Sequence, residues 1–188
     1  MNYKNKYIAD AMNAVNTFFE ASKEAEPQLK ALPQNYAGGL LEQKRQAIID
    51  SVKEKQRNAQ EAIRLSYEKL EERVNGSFSV LEKAIISEDF EFLKLPVILD
   101  EKQLGELAER IKDNDLFIQA LNQYAQKYGY EEVFESYGKR LRNALADYKH
   151  ATKGIFDAGD PWTIAGDLRW DMIASVDIIE AADDAFGA

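Results

Sequence analysis

Apolar and polar positions repeat with a helical period along the longest regular stretch of this chain. Between Leu41 and Val74, steps of four, three and four residues select a mostly apolar series whose members match in kind eleven residues apart. An eleven-residue period corresponds to about 3.67 residues per turn, so the series forms a nearly straight stripe along one side of a helix. The stripe comprises Leu41, Arg45, Ile48, Val52, Gln56, Ala59, Ile63, Tyr67, Leu70 and Val74.

The same stretch lacks the residues that usually interrupt helices. Residues 40–74 include neither glycine nor proline, whereas Gly38-Gly39 precedes them and Asn75-Gly76 follows them. They predict one helix of about 35 residues and roughly 52 Å, which is longer than a round domain of this size would hold. Within it, residues 53–61 include one apolar side chain in nine. We therefore expect a polar middle that crosses solvent or meets a polar partner, between two separately packed ends.

Shorter helices are predicted on both sides of this one. Residues 3–25 place apolar side chains at helical spacing, whereas residues 26–39 contain two prolines and two glycines and are predicted to be a loop. Capping signals, such as Asp100 with Gln103 three residues later, predict further helices. These helices cover residues 79–86, 101–112, 116–128 and 131–152. No segment alternates with the period of a strand, so the chain is predicted to be an all-α, elongated helical bundle.

The C-terminal segment differs from the rest of the chain in charge. Residues 157–188 carry eight acids and one base, a net charge of −7 within a total of −9. Asp160 followed by Pro161 predicts the start of an acidic amphipathic helix. We predict a helical body over residues 1–156, which includes the long helix, and an acidic helical segment over residues 157–188. That segment could dock on the body, offer its apolar face to another chain, or mimic nucleic-acid phosphates with its carboxylates.

Composition narrows the chemistry that the chain can perform. The 188 residues include no cysteine and one histidine, His150, which excludes disulfides, thiolate metal sites and sites with several histidines. Acidic clusters such as residues 68–72 are typical of solvated helix surfaces. We therefore predict no catalytic, cofactor-binding or metal-binding residues, and no cofactor.

Length and charge patterns also bear on location and partners. No run approaches the roughly 20 apolar residues of a membrane span, and the N-terminus leads into no apolar signal sequence. We therefore expect a cytoplasmic protein with no membrane partner. The net negative charge disfavours binding to nucleic acid, which calls for a basic face.

Candidates for protein contact lie on two elements. The long helix contributes apolar stripe residues on either side of its polar middle. The C-terminal segment contributes the two tryptophans of the chain, a residue type enriched at interface hot spots, and the side chains near them. The candidate interaction residues are Ile48, Val52, Ile63, Tyr67, Trp162, Trp170, Asp171, Met172 and Asp177. They predict binding to other protein chains or to a second copy in a homo-oligomer.

Part of the chain resembles a known class of protein. The relevant residues are Leu95-Pro96-Val97-Ile98-Leu99-Asp100-Glu101, Leu107-Ala108-Glu109-Arg110, Lys112-Asp113-Asn114 and Tyr124-Ala125. They are similar to small helical accessory proteins encoded among the structural genes of tailed phages of Gram-positive bacteria. The resemblance implies a scaffold-like or head-associated role in virion assembly, in the host cytoplasm or the virion, and it brings no active-site residues.

These features together predict a non-enzymatic helical interaction protein, with phage virion assembly as its concrete form. Two alternatives stay open. The chain could be an inhibitor that binds a host protein through an acidic surface resembling a nucleic acid. It could also be an enzyme with a carboxylate site that no motif reveals.

Overall fold

The structure is a computed structural model that describes residues 3–77, 98–130, 134–157 and 175–187. Every regular element in these ranges is an α-helix, which confirms the all-α prediction and the presence of one long helix. The helices are α1 (Lys6–Asn35), α2 (Gly38–Ser77), α3 (Glu101–Arg110), α4 (Asp115–Lys127), α5 (Tyr137–Phe156) and α6 (Val176–Gly187). The helix predicted at residues 79–86 and the first part of the predicted C-terminal helix lie outside the described residues.

Helix α1 continues to Asn35, so the loop predicted over residues 26–39 is wrong except at Tyr36 and Ala37. Two prolines, Pro27 and Pro33, lie inside the helix. Each proline removes one backbone N–H and costs about 3 kcal/mol. The apolar stripe offsets this cost because it continues past Pro27 as far as the buried Leu32. Its buried members are Ile8, Ala11, Met12, Val15, Phe18, Ser22, Ala25 and Leu32.

Helix α2 is 40 residues long and includes the glycines that were expected to bound it. The expected solvated middle is wrong, because Gln56 is only 5% exposed and Ala59 is fully buried. The Gln60 side-chain amide donates to the carbonyls of Ile155 and Phe156 at the end of α5. Helix α5 therefore lies along this part of α2, and the polar residues around 53–61 occupy the other faces of the helix.

The chain forms two compact units. Unit 1 comprises Met1–Leu70 and Ala144–Ala188, and unit 2 comprises Glu71–Asn143. The C-terminal helix α6 thus belongs to the same unit as α1. The core of unit 1 draws on α1, α2, α5 and α6. Its largest fully buried side chains are Ile8, Phe18, Ile63, Leu70, Tyr148, Ile155, Ile179 and Phe186.

Unit 2 contains α3 and α4, whose starts follow from local capping. The predicted capping box is confirmed, since the Asp100 side chain accepts from the Gln103 backbone at 2.8 Å and the Gln103 side chain accepts from the Asp100 backbone at 3.0 Å. The Asn114 side chain caps α4 in the same way by accepting from Phe117. The core of this unit consists of Leu99, Leu104, Leu107, Ala108, Phe117, Ile118, Leu121, Tyr124 and Ala125.

Helix α5 begins later and ends later than its prediction over residues 131–152. Residues 134–136 are not helical, and the Ser136 hydroxyl accepts from the Lys139 backbone at 3.2 Å, as an N-cap does. The Phe134 backbone instead exchanges hydrogen bonds with the Asn122 side chain. In the parts of the chain that are described, none of the helices has both the length and the apolar character of a bilayer span.

Candidate protein-interaction surface

The apolar stripe of α2 is covered along only part of its length. Its members Val52, Gln56, Ala59, Ile63 and Leu70 are at most 5% exposed. By contrast, the three members that precede them are half-buried or exposed: Leu41, Arg45 and Ile48. The helical period of the stripe therefore continues beyond the point where the core of unit 1 ends.

Two grooves follow this uncovered part of the stripe between the end of α1 and the start of α2. One has a volume of about 490 Å³ and is lined by apolar side chains that include Leu29, Pro33, Leu41 and Ile49. The other has a volume of about 410 Å³, and its lining includes Ala25, Ile48 and Val52. Leu32 lines both. We call this region the open-end surface, defined by Leu29, Leu32, Pro33, Leu41, Ile48 and Ile49.

Exposed apolar side chains extend the open-end surface. Leu40 is 51% exposed and Tyr36 is 38% exposed, and both lie at the connection between α1 and α2. Single exposed apolar residues are common on protein surfaces, but Tyr36 also lines the smaller groove, which makes this region a candidate for contact with another molecule.

The charged residues around the grooves differ between the two walls. The α1 wall carries Glu24, Glu26 and Lys30, a net charge of −1, and the α2 wall carries Glu42, Lys44 and Arg45, a net charge of +1. The Lys30 ammonium donates to the Glu26 carboxylate at 2.5 Å and lowers the pKa of that carboxyl. The open-end surface is therefore mainly apolar in its larger groove, mixed in its smaller groove, and of opposite charge along its two sides.

The acidic C-terminal helix is docked on the start of α1. Its apolar residues Ile179, Ala182 and Phe186 are at most 1% exposed. Burying an isoleucine or phenylalanine side chain stabilises a fold by about 1.5–3 kcal/mol, so this helix forms part of the core of unit 1.

Polar contacts join the two chain ends in what we call the terminal clasp, formed by Lys4, Asn5, Asp183, Asp184 and Phe186. The buried Asp183 carboxylate accepts from the backbone N–H groups of Lys4 and Asn5, both at 2.7 Å. The Asn5 side chain donates to the Phe186 carbonyl and accepts from the first N–H groups of α1. The acids of α6 thus include one that holds the capping residue of the neighbouring helix.

The candidate residue Tyr67 lies in a polar cluster between α2 and α5. Its hydroxyl donates to Thr152, because the Thr152 hydroxyl itself donates to the Tyr148 carbonyl. The Tyr148 hydroxyl likewise donates to Ser66, whose own proton bonds to the Ile63 carbonyl. Burial is the largest cause that raises the pKa of both tyrosines. These satisfied hydrogen bonds fix α2 against α5 and leave Tyr67 only partly exposed.

The structure separates the sequence-predicted interaction residues. Ile63 lies in the core of unit 1, and Tyr67 lies in the cluster with α5. Ile48 lies on the open-end surface, and the buried Val52 lies at the edge of the same groove. Asp177 is exposed on α6. The other candidates lie outside the described residues: Trp162, Trp170, Asp171 and Met172.

The α1 side of the open-end surface was missed by sequence reasoning. Leu29, Leu32 and Pro33 fell in the segment that was predicted to be a loop. The available signal was spacing, since Ala25, Leu29, Leu32 and Tyr36 continue the apolar stripe of α1 at steps of four, three and four residues.

Among the described residues, no group of three or more histidine, cysteine or acidic residues could hold a metal ion. Comparisons with protein-family models, curated proteins and solved structures find no match to this chain.

Proposed function

We propose that this chain is a non-enzymatic helical interaction protein that associates with a second copy of itself through the open-end surface. The observation that carries the proposal is the uncovered part of the α2 stripe. Leu41 and Ile48 continue the same apolar period as the buried Val52, yet they face grooves rather than the core. Covering them with another apolar helix extends the core of unit 1 across two chains.

The charges of the two walls support a second copy as the occupant. The α1 wall has a net charge of −1 and the α2 wall a net charge of +1. When two copies meet about a two-fold axis, the α1 wall of each copy can face the α2 wall of the other, so opposite charges pair twice. Interfaces of this self-complementary kind are the commonest among homo-oligomers.

A role in virion assembly is the concrete form of this proposal. It is supported by the phage resemblance of residues 95–125, and weak self-association suits a scaffold-like protein. The alternative of a nucleic-acid mimic has less support. Two acids of α6, Asp183 and Asp184, already bind the N-terminal residues Lys4 and Asn5 within the chain.

The oligomeric state of the full chain tests the proposal. We expect sedimentation equilibrium to show a concentration-dependent dimer between micromolar and millimolar concentration. Ile48→Glu should raise the dimer dissociation constant about tenfold or more, since a buried charge in an apolar contact costs more than 1.4 kcal/mol. Arg45→Glu, at an exposed position, should weaken the dimer without touching the core because it reverses the charge of the α2 wall.

Leu65→Glu is the matched control for these variants. Leu65 is 43% exposed on the same helix and lines neither groove, so the same type of change there should leave the dimer intact. Circular dichroism melts establish that each variant is folded. A chain that stays monomeric up to millimolar concentration would overturn the proposal. A dimer that Ile48→Glu and Arg45→Glu do not weaken would show that the contact lies elsewhere.

A further inference from the structure

Pro33 leaves the carbonyl of one open-end residue without its regular helical donor. In a regular helix the Leu29 carbonyl accepts from the backbone N–H four residues later, and that residue is Pro33, which has no N–H. Leu29 and Pro33 both line the larger groove. The carbonyl that lacks its regular helical donor therefore belongs to a residue that lines the groove, and an unpaired carbonyl is costly to cover with an apolar partner.

The second wall of the same surface is rich in hydrogen-bond donors. Residues 43–46 read Gln-Lys-Arg-Gln, and all four side chains are exposed. Lys44 and Arg45 line the grooves. In a two-fold arrangement the α2 wall of one copy faces the α1 wall of the other, which brings these donors toward the Leu29 carbonyl.

We propose that the Leu29 carbonyl is the polar anchor of the open-end surface and accepts a hydrogen bond from a side-chain N–H of Lys44 or Arg45 in the second copy. This inference rests on the proposed function. It adds that the Leu29 carbonyl makes the surface specific for a partner that carries a hydrogen-bond donor. An apolar partner without a donor would leave the Leu29 carbonyl buried and unsatisfied. In a two-fold dimer, by contrast, each copy donates one hydrogen bond to the Leu29 carbonyl of the other.

Substitution of the proline tests the anchor, because it restores the N–H that pairs with the Leu29 carbonyl inside the helix. We expect Pro33→Ala to raise the dimer dissociation constant of the full chain about tenfold, through the loss of two symmetry-related hydrogen bonds. The same change should raise the thermal midpoint of the monomer, since alanine is a better helix former than proline. Weaker association combined with higher stability is the distinguishing result.

Two further variants separate the carbonyl from the proline ring. Pro27→Ala makes the same change in the same helix at an exposed residue that lines neither groove, so it should stabilise the helix and leave the dimer unchanged. Pro33→Leu restores the N–H but keeps an apolar side chain, and it should weaken the dimer as Pro33→Ala does.

Sedimentation equilibrium measures the dimer dissociation constant of each of these variants. The anchor is overturned if Pro33→Ala and Pro27→Ala leave the dissociation constant equal, or if Pro33→Leu binds as tightly as the unaltered chain. If the dimer still responds to Ile48→Glu in that case, the proposed function stands and only the anchor fails. If the unaltered chain is strictly monomeric, both the proposed function and the anchor are overturned.

Discussion

The Asp183 carboxylate offers a direct test of how the two chain ends stabilise unit 1. It is 4% exposed, and its two oxygens each accept one backbone N–H, from Lys4 and from Asn5, at 2.7 Å. Asn5 in turn caps α1. We predict that Asp183→Ala loosens both α6 and the first turn of α1, because two N–H groups lose their acceptor and the capping residue loses its support.

The expected cost follows from the two hydrogen bonds. A hydrogen bond to a charged group contributes about 1.5–3 kcal/mol. The Asn5 N–H is buried and the Lys4 N–H is part-buried, so we take the lower end for each and expect a loss of roughly 3 kcal/mol. Asp183→Asn keeps the size of the side chain and one acceptor oxygen, but it turns an NH2 group toward the second N–H. It should therefore lose about half as much.

Urea unfolding followed by far-ultraviolet circular dichroism measures this loss, at equal protein concentration because association also stabilises the folded state. Asp184→Ala is the matched control. Asp184 pairs with the exposed Lys4 ammonium at 2.8 Å, and ion pairs in solvent contribute little. The assigned role of Asp183 is refuted if Asp183→Ala costs less than about 1 kcal/mol, or if Asp184→Ala costs as much.

Two further predictions concern contacts within unit 1. Tyr148→Phe removes the hydroxyl that donates to Ser66 and should cost about 1 kcal/mol at neutral pH. Burial raises the Tyr148 pKa above its ordinary value of about 10, so the native state keeps a proton that the unfolded chain releases. Urea midpoints of the unaltered chain should therefore fall as the pH rises above about 10, and those of Tyr148→Phe should fall less; equal declines would contradict this cause. Gly187→Ala should lower the thermal midpoint, because the added Cβ would lie 2.6 Å from the Lys4 Cβ in the terminal clasp, and an unchanged midpoint would show that the clasp can move aside.

Local features of the sequence predicted much of the helical structure. The stripe of α2 has its signal in side chains three and four residues apart, which meet on one face of any helix. The capping box of Asp100 and Gln103 depends on contacts within four residues and appears as expected. Such features depend little on the rest of the chain, so spacing and residue type are enough to identify them.

The prolines show where local rules failed. Pro27 and Pro33 predicted a loop, yet α1 passes through both. Their penalty is local, whereas the gain that outweighs it comes from burying residues such as Leu32 against distant parts of the chain. The prediction of a solvated middle in α2 was also wrong. The composition of residues 53–61 is polar, but Gln56 and Ala59 lie on one face of the helix, and that face is buried by another part of the chain.

The sequence by itself therefore determined the helical class, the long apolar stripe and the capping box that starts α3. Only the tertiary structure decided which part of the stripe is covered, since burial depends on the elements that pack against it. It also decided that Asp183, one acid among the eight of the C-terminal segment, meets the first backbone N–H groups of the chain. Residues 178 positions apart come together through the packing of whole helices, and no local pattern records that contact.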